Sequence, residues 1–212
     1  MKVRLIATTQ SHVSGVATPE ELIVHNARVS NPGNQLNMQT AGKLLAFCMR
    51  HGHWSIFEQA DMTVEIQTSR VIAAQLLRHR SFTFQEFSQR YSEATEFEPV
   101  ELRRQAESNR QSSTEVMDDE HCMFLVNQAI YRAETAYRDL LTEGVARECA
   151  RMVLPLCTTT TLYMKGSCRS WIHYLQQRLS EHTQKEHREV AQEVARIFAS
   201  VFPTVSKLID KN

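Results

Sequence analysis

The chain has 212 residues, 42% of them hydrophobic, and its 24 Lys and Arg are balanced by 24 Asp and Glu. Zero formal net charge argues against recruitment to nucleic acid or to an anionic membrane by bulk electrostatics. No Pro/Gly/Ser-rich linker divides the chain, so one domain over residues 1–212 is expected, with enough apolar side chains for a sizeable core.

Met1-Lys2-Val3-Arg4 lacks the apolar core of a signal peptide and no run is long enough to span a bilayer, so a cytoplasmic protein is expected. Val3, Leu5 and Ala7 alternate with Arg4, Ile6 and Thr8, which predicts a first strand. Leu44, Leu45, Cys48 and Met49 fit one face of a helix that Gly52 ends. Met62, Val64 and Ile66 alternate with Thr63, Glu65 and Gln67 as in a half-buried strand. Ser69 is placed to cap a helix starting near Arg70, on which Val71, Gln75, Arg78 and His79 share a face. The polar stretch from Arg103 to Thr114 is where internal order is least expected.

The longest helix is predicted from about Asp119 to Glu143. Cys122, Val126, Ala129, Ala133, Ala136, Tyr137 and Leu140 keep helical spacing, acids open it and Gly144 closes it. A shorter helix over Val145 to Val153 ends at Pro155, and the β-branched run Thr158 to Tyr163 predicts a strand. Two more helices follow, from about Ser167 to Leu179 and from Lys185 to Phe202. Val190, Val194, Ile197, Phe198 and Val201 form a stripe on the last, which Pro203 stops. These elements give an α+β class, long helices packed on a mostly antiparallel sheet.

The five cysteines, Cys48, Cys122, Cys149, Cys157 and Cys168, are scattered without a CxxC pair. Free thiols are expected, with no metal site and no cysteine nucleophile. Arg accounts for 18 of the 24 basic residues, and its planar fork suits phosphate and carboxylate, so position decides what the bias means.

The segment Gln75-Leu76-Leu77-Arg78-His79-Arg80-Ser81-Phe82-Thr83-Phe84-Gln85-Glu86-Phe87-Ser88-Gln89-Arg90 carries the densest chemistry. Three basic side chains in succession cannot share one surface, so they serve two environments or a crowded anionic site. A basic helix end followed by a Phe-rich loop pinned to the core is the plainer reading. Arg78-His79-Arg80, then seven residues, then Ser88 resembles the signature of the flavin-dependent thymidylate synthases. His53-Trp54-Ser55-Ile56-Phe57-Glu58 resembles the family's upstream His/Ser-Phe-Glu segment, and Ala150-Arg151-Met152-Val153-Leu154-Pro155 its Ala-Arg-x-Val-Leu-Pro element. Gly166-Ser167-Cys168-Arg169-Ser170-Trp171-Ile172-His173-Tyr174 followed by Arg178 resembles its C-terminal helix, although some members carry Asn at the positions of Ser167 and His173.

The resemblance implies conversion of dUMP to dTMP, with FAD as cofactor and methylenetetrahydrofolate and NADPH as co-substrates. It also implies a homotetramer whose active sites combine several chains. Carried over by position, Ser55, Arg78, His79, Arg80, Glu86, Ser167, Cys168, Arg169 and His173 contact FAD. Gln75, Leu76, Leu77, Arg78, Glu86, Phe87, Ser88, Gln89, Arg90, Arg151 and Arg178 contact dUMP. Arg178 is the catalytic candidate: a cation beside the uracil edge stabilises the ring after it loses its N3 proton, and no protein nucleophile is then required.

Ser88 is open to two readings, a nucleophile lacking a positioned base or a phosphate ligand beside Arg90; the second is preferred. His51 and His53 form no ligand cluster and are read as polar contacts, His53 near flavin or folate by the resemblance. Glu58 is either a surface acid or close to the site. Arg169, His173 and Gln176 share a polar face that taken alone reads as solvated, whereas Arg178 falls with Trp171, Tyr174 and Leu175. Two other functions stay open: a flavoprotein acting on another nucleotide, and a helical nucleic-acid-binding module using Phe82, Phe84 and Phe87 for stacking.

Overall fold

The computed structural model describes residues 1–94 and 96–209. In chain order these form β1 (Lys2–Thr8), α1 (Pro19–Ala27), α2 (Ala41–Arg50), β2 (Asp61–Ser69), α3 (Arg70–Leu76), β3 (Thr83–Glu86), β4 (Arg103–Gln105), β5 (Ser113–Val116), α4 (Glu120–Thr142), α5 (Arg147–Ala150), β6 (Thr159–Ser167), α6 (Cys168–Arg178), α7 (Lys185–Val201) and α8 (Pro203–Ser206). Short 3₁₀ turns lie at Pro32–Asn34, Trp54–Glu58 and Arg151–Val153. The main sheet has the order β1-β2-β6-β3. The Cys168 N–H donates to the Ala60 carbonyl at one end of the β2 and β6 pair, and the Arg70 N–H to the Thr158 carbonyl at the other, so the two strands run antiparallel. The α+β class with an antiparallel sheet is therefore as the sequence predicted.

Contacts divide the chain into two compact units. Met1, Gln67–Leu76 and Glu86–Thr161 make the first, and Lys2–Ile66, Leu77–Gln85 and Leu162–Asn212 the second. The chain passes from one to the other inside β2, β3 and β6 and at the end of α3.

In the second unit, alternation along β2 buries Met62, Val64 and Ile66 completely. Trp171, Tyr174 and Leu175 of α6 and Val190, Val194 and Phe198 of α7 are also buried, while Ile197 of the predicted stripe is only half-buried. The Trp171 Nε1–H donates to the Met62 carbonyl at 3.2 Å, which ties α6 to the sheet. A Thr18 and Glu21 capping box opens α1. Buried Glu20 accepts from the N–H groups of Thr204 and Val205 at 2.8 and 3.0 Å, so a carboxylate that would be costly alone satisfies the open end of α8. β1 behaves otherwise than its alternation suggests: it is an edge strand, and Leu5 and Ile6 on opposite faces are both exposed.

In the first unit, Asp119 caps α4 by accepting from the Cys122 N–H at 2.9 Å, and Gly144 closes it at φ +80°. The predicted face is there but thinly covered: Tyr137 is buried, Cys122, Val126, Ala133 and Leu140 are half-buried, and Ala129 and Ala136 are exposed. The polar stretch expected to be least ordered forms the β4 and β5 hairpin, with Arg103 opposite Val116.

Two local expectations are corrected. The helix expected to carry Arg78 and His79 ends at Leu76, and these residues lie in a turn. In that turn Arg78 and Arg80 are exposed while His79 is buried. The expected Phe-rich loop contains β3, and Phe82 just before it packs edge-on against Trp171 at 4.6 Å.

Candidate active site

The second unit holds a cleft of about 420 Å³ lined by Trp54, Glu58, Ser81, Arg169, Ser170, Ile172, His173 and Gln176. Ser167 is the N-cap of α6, its Oγ accepting from the Ser170 N–H at 3.3 Å, and this sets the phase in which Arg169, His173 and Gln176 face the cleft. Glu58, from the 3₁₀ turn, joins the parts: Oε2 accepts from the Ser167 hydroxyl at 2.6 Å and Oε1 pairs with Arg169 Nη1 at 2.9 Å. The Ser170 hydroxyl donates to the Ser81 carbonyl at 3.1 Å, which docks the turn after the basic triplet onto α6. The polar face of α6 thus lines a cleft, in which Arg169 and His173 stay exposed.

Arg178 and His79 meet in the same unit. The Nε–H of Arg178 donates to His79 Nε2 at 2.9 Å, so His79 is a neutral acceptor with its proton on Nδ1. Burial first, then the charges of Arg178, His173 and Arg78, lowers the His79 pKa from 6.5 to about 4. With Nε held by His79, the two Nη atoms of the half-buried guanidinium remain to meet a ligand.

The other predicted residues of this unit divide by exposure. Ser55, Leu77, Arg78, Arg80, Arg169 and His173 are exposed. Cys168 is wholly buried and does not line the cleft; burial above all, with Glu20 and Glu58 nearby, pushes its thiol well above the usual range, so it is an inert thiol.

The remaining candidates belong to the first unit. Glu86 accepts from Thr160 Oγ1 at 3.0 Å and pairs with Arg70 at 3.2 Å. Phe87 lines a cleft of about 200 Å³ with Glu93, Glu96 and Thr159 to Thr161. Ser88 is exposed, and its carbonyl accepts from the N–H groups of Tyr91 and Ser92, forming a tight turn. Arg90, also exposed, pairs with Glu148 at 3.0 Å. Gln89 is buried, and its Nε2 makes no hydrogen bond among the described residues. Leu76 is buried, while Gln75 and Arg151 are half-buried.

Arg169, paired with Glu58, and the Trp54 ring line the cleft, and Arg78 and Arg80 are exposed on the turn that leads to its lining residue Ser81. Sequence reasoning missed Trp54, Ser81 and Ile172 as lining residues. It placed Gln176 on a solvated face and left Glu58 open, because a link between Glu58 and Ser167 spans 109 positions that no local pattern records. Among the described residues no group of three or more His, Cys, Asp or Glu is placed to hold a metal ion, and no helix is long and apolar enough to cross a membrane.

A family model described as thymidylate synthase complementing protein matches residues 7–204. The chain belongs to this family, the flavin-dependent thymidylate synthases. It is 50% identical over 214 residues to a probable flavin-dependent thymidylate synthase of Paramecium bursaria Chlorella virus 1, covering 99% of each chain. It is also 50% identical over 216 residues to the flavin-dependent thymidylate synthase of Synechocystis sp., covering 99% of this chain and 100% of that one. Among solved structures it resembles the UMP/dUMP methylase PolB of Streptomyces cacaoi bound with 5-Br dUMP, at a TM-score of 0.84 and 28% identity over 98% of this chain and 93% of that one. The signature Arg78-His79-Arg80 with Ser88 therefore belongs to a flavin-dependent thymidylate synthase sequence, and the bland reading of a basic helix end is set aside.

Proposed function

We propose that this flavin-dependent thymidylate synthase converts dUMP to dTMP, with methylenetetrahydrofolate as one-carbon donor and FAD reduced by NADPH as hydride source. The observation that carries the reading is Arg178, held through Nε by a neutral His79 and so able to turn its Nη atoms to a ligand. Bound reduced flavin supplies the hydride that completes the methyl group. The chain's own part is electrostatic and positional. Arg178 stabilises negative charge on the uracil ring, and partial burial leaves that charge little screened. Ser88 and Arg90 take the dUMP phosphate, joined in binding the nucleotide by Gln75, Leu76, Leu77, Arg78, Glu86, Phe87, Gln89 and Arg151. Ser55, Arg78, His79, Arg80, Glu86, Ser167, Arg169 and His173 hold the cofactor, while buried Cys168, expected to join them, is shut off from it.

We further propose that residues 1–212 act as one domain in the cytoplasm and assemble as a homotetramer whose active sites combine several copies. Exposed Phe124, Leu125 and Tyr131 on α4, and Met152 and Leu156 farther along the first unit, support self-association, since such side chains favour cover by another surface.

The test is a spectrum followed by product analysis. The purified protein should show bound flavin absorbance that bleaches with NADPH, shifts on adding dUMP, and survives a chelator. Product analysis with dUMP and UMP offered side by side should yield dTMP. Methylation of UMP alone would move the function to another nucleotide, and salt-sensitive DNA or RNA binding by a colourless protein would replace it.

A further inference from the structure

Behind the Arg178 and His79 bond stands a second imidazole that no motif announced. His187, in the first turn of α7, is wholly buried. Its ring centroid lies 6.2 Å from that of His79 with the planes at 87°, and 5.9 Å from that of Tyr174 at 41°. Tyr174, one turn before Arg178 on α6, stands 5.0 Å from His79 at 74°. Phe82 closes a further side at 6.3 Å and 90°.

A histidine ring turns about a broad, roughly two-fold torsion, so a hydrogen bond alone fixes its plane poorly. Rotation of His79 would carry Nε2 off Arg178 Nε and let the guanidinium swing. We propose that His187, with Tyr174, is a positioning residue for Arg178: it fills the space into which the His79 ring would turn and keeps Nε2 on Arg178 Nε. This rests on the role given to Arg178 above. Burial first, then the charges of Arg178 and His79, lowers the His187 pKa to about 3, so the ring is neutral and adds no like charge behind the guanidinium. The wholly buried Tyr174 hydroxyl makes no hydrogen bond among the described residues, which leaves its ring as the part that acts on His79.

The test uses two substitutions that both fill the space, His187→Phe with a planar ring and His187→Leu without one, in the full-length flavin-loaded enzyme. Flavin reduction by NADPH and single-turnover dTMP formation at saturating dUMP are measured, alongside Arg178→Ala and the thermal midpoint. His187→Leu should slow dTMP formation on the order of tenfold or more, as for a small misplacement of a catalytic group, while flavin reduction holds. His187→Phe should restore most of the rate. Equal rates in His187→Leu, His187→Phe and wild type, or equal losses in both variants, would overturn the proposal while leaving Arg178 in its role. Near-normal dTMP formation in Arg178→Ala would instead sink the role of Arg178 itself.

Discussion

The Nε–H of Arg178 donates to Nε2 of His79 across 2.9 Å and 99 positions of sequence. That bond requires a neutral imidazole, and the same burial that makes it neutral makes it a liability in acid. His79 and His187 titrate at about 4 and about 3 in the folded protein, below the ordinary 6.5.

The sign of the pH effect follows. Between 6.5 and about 4 the unfolded chain binds protons at both residues that the folded chain refuses, so stability is whole above 6.5 and falls as the pH drops. Carboxylates held low, Glu65 and Asp119, add their own loss only at lower pH. Urea unfolding between pH 6.5 and 5 should show stability declining, and His187→Phe should reduce the slope by up to about 1.4 kcal/mol per pH unit, the value for one proton. Identical slopes would show that His187 is not held neutral by the fold.

Gly166 is required by a neighbour rather than by its backbone angle. A Cβ there would lie 2.5 Å from Cδ1 and Cε1 of Phe82 and 3.2 Å from Cβ of Ser170. Phe82 is buried against Trp171 and has little room to yield. Gly166→Ala should cost about 1–3 kcal/mol of stability, as overpacking does, and Phe82→Leu in the same chain should recover part of it. Chemical denaturation of the two variants checks this, and an unchanged midpoint in Gly166→Ala would mean the ring moves freely.

Much of this fold was legible where sequence and packing agree. The alternation of Met62, Val64 and Ile66, the Asp119 cap with Gly144, and the Ser167 to Leu179 helix all appear within a residue or two of their expected bounds. β3 and the β4 and β5 hairpin were not legible, since short polar or Phe-rich strands owe their form to a partner strand rather than to their own pattern. In the site, Arg178 stood out through its motif and its place beside Trp171 and Tyr174. Its tie to His79, the Glu58 link to Ser167 and Arg169, and the burial of His187 are long-range pairings that periodicity does not encode.

Ser88 sits exposed at a turn, and Arg90 makes an exposed pair with Glu148, which contributes little and is easily exchanged for a ligand. Ser88→Ala should weaken dUMP binding by roughly ten- to a hundredfold, the worth of a hydrogen bond to a charged group, with the rate at saturating dUMP nearly intact. Titration of bound flavin fluorescence with dUMP, paired with single-turnover rates, separates the two effects. Lost chemistry with unchanged binding would return Ser88 to the role of nucleophile.

The central claim is that the Arg178 cation activates the uracil ring. The most direct measurement is single-turnover dTMP formation at saturating dUMP and methylenetetrahydrofolate in wild type, Arg178→Lys and Arg178→Ala, each with flavin already reduced by NADPH. Lysine keeps the charge but loses the planar fork and the Nε–H that His79 accepts, so both variants should retain flavin and its reduction yet lose turnover. Arg178→Ala should fall on the order of a hundredfold or more, the loss expected when one transition-state contact is removed. Near-normal dTMP formation in Arg178→Ala would contradict the account.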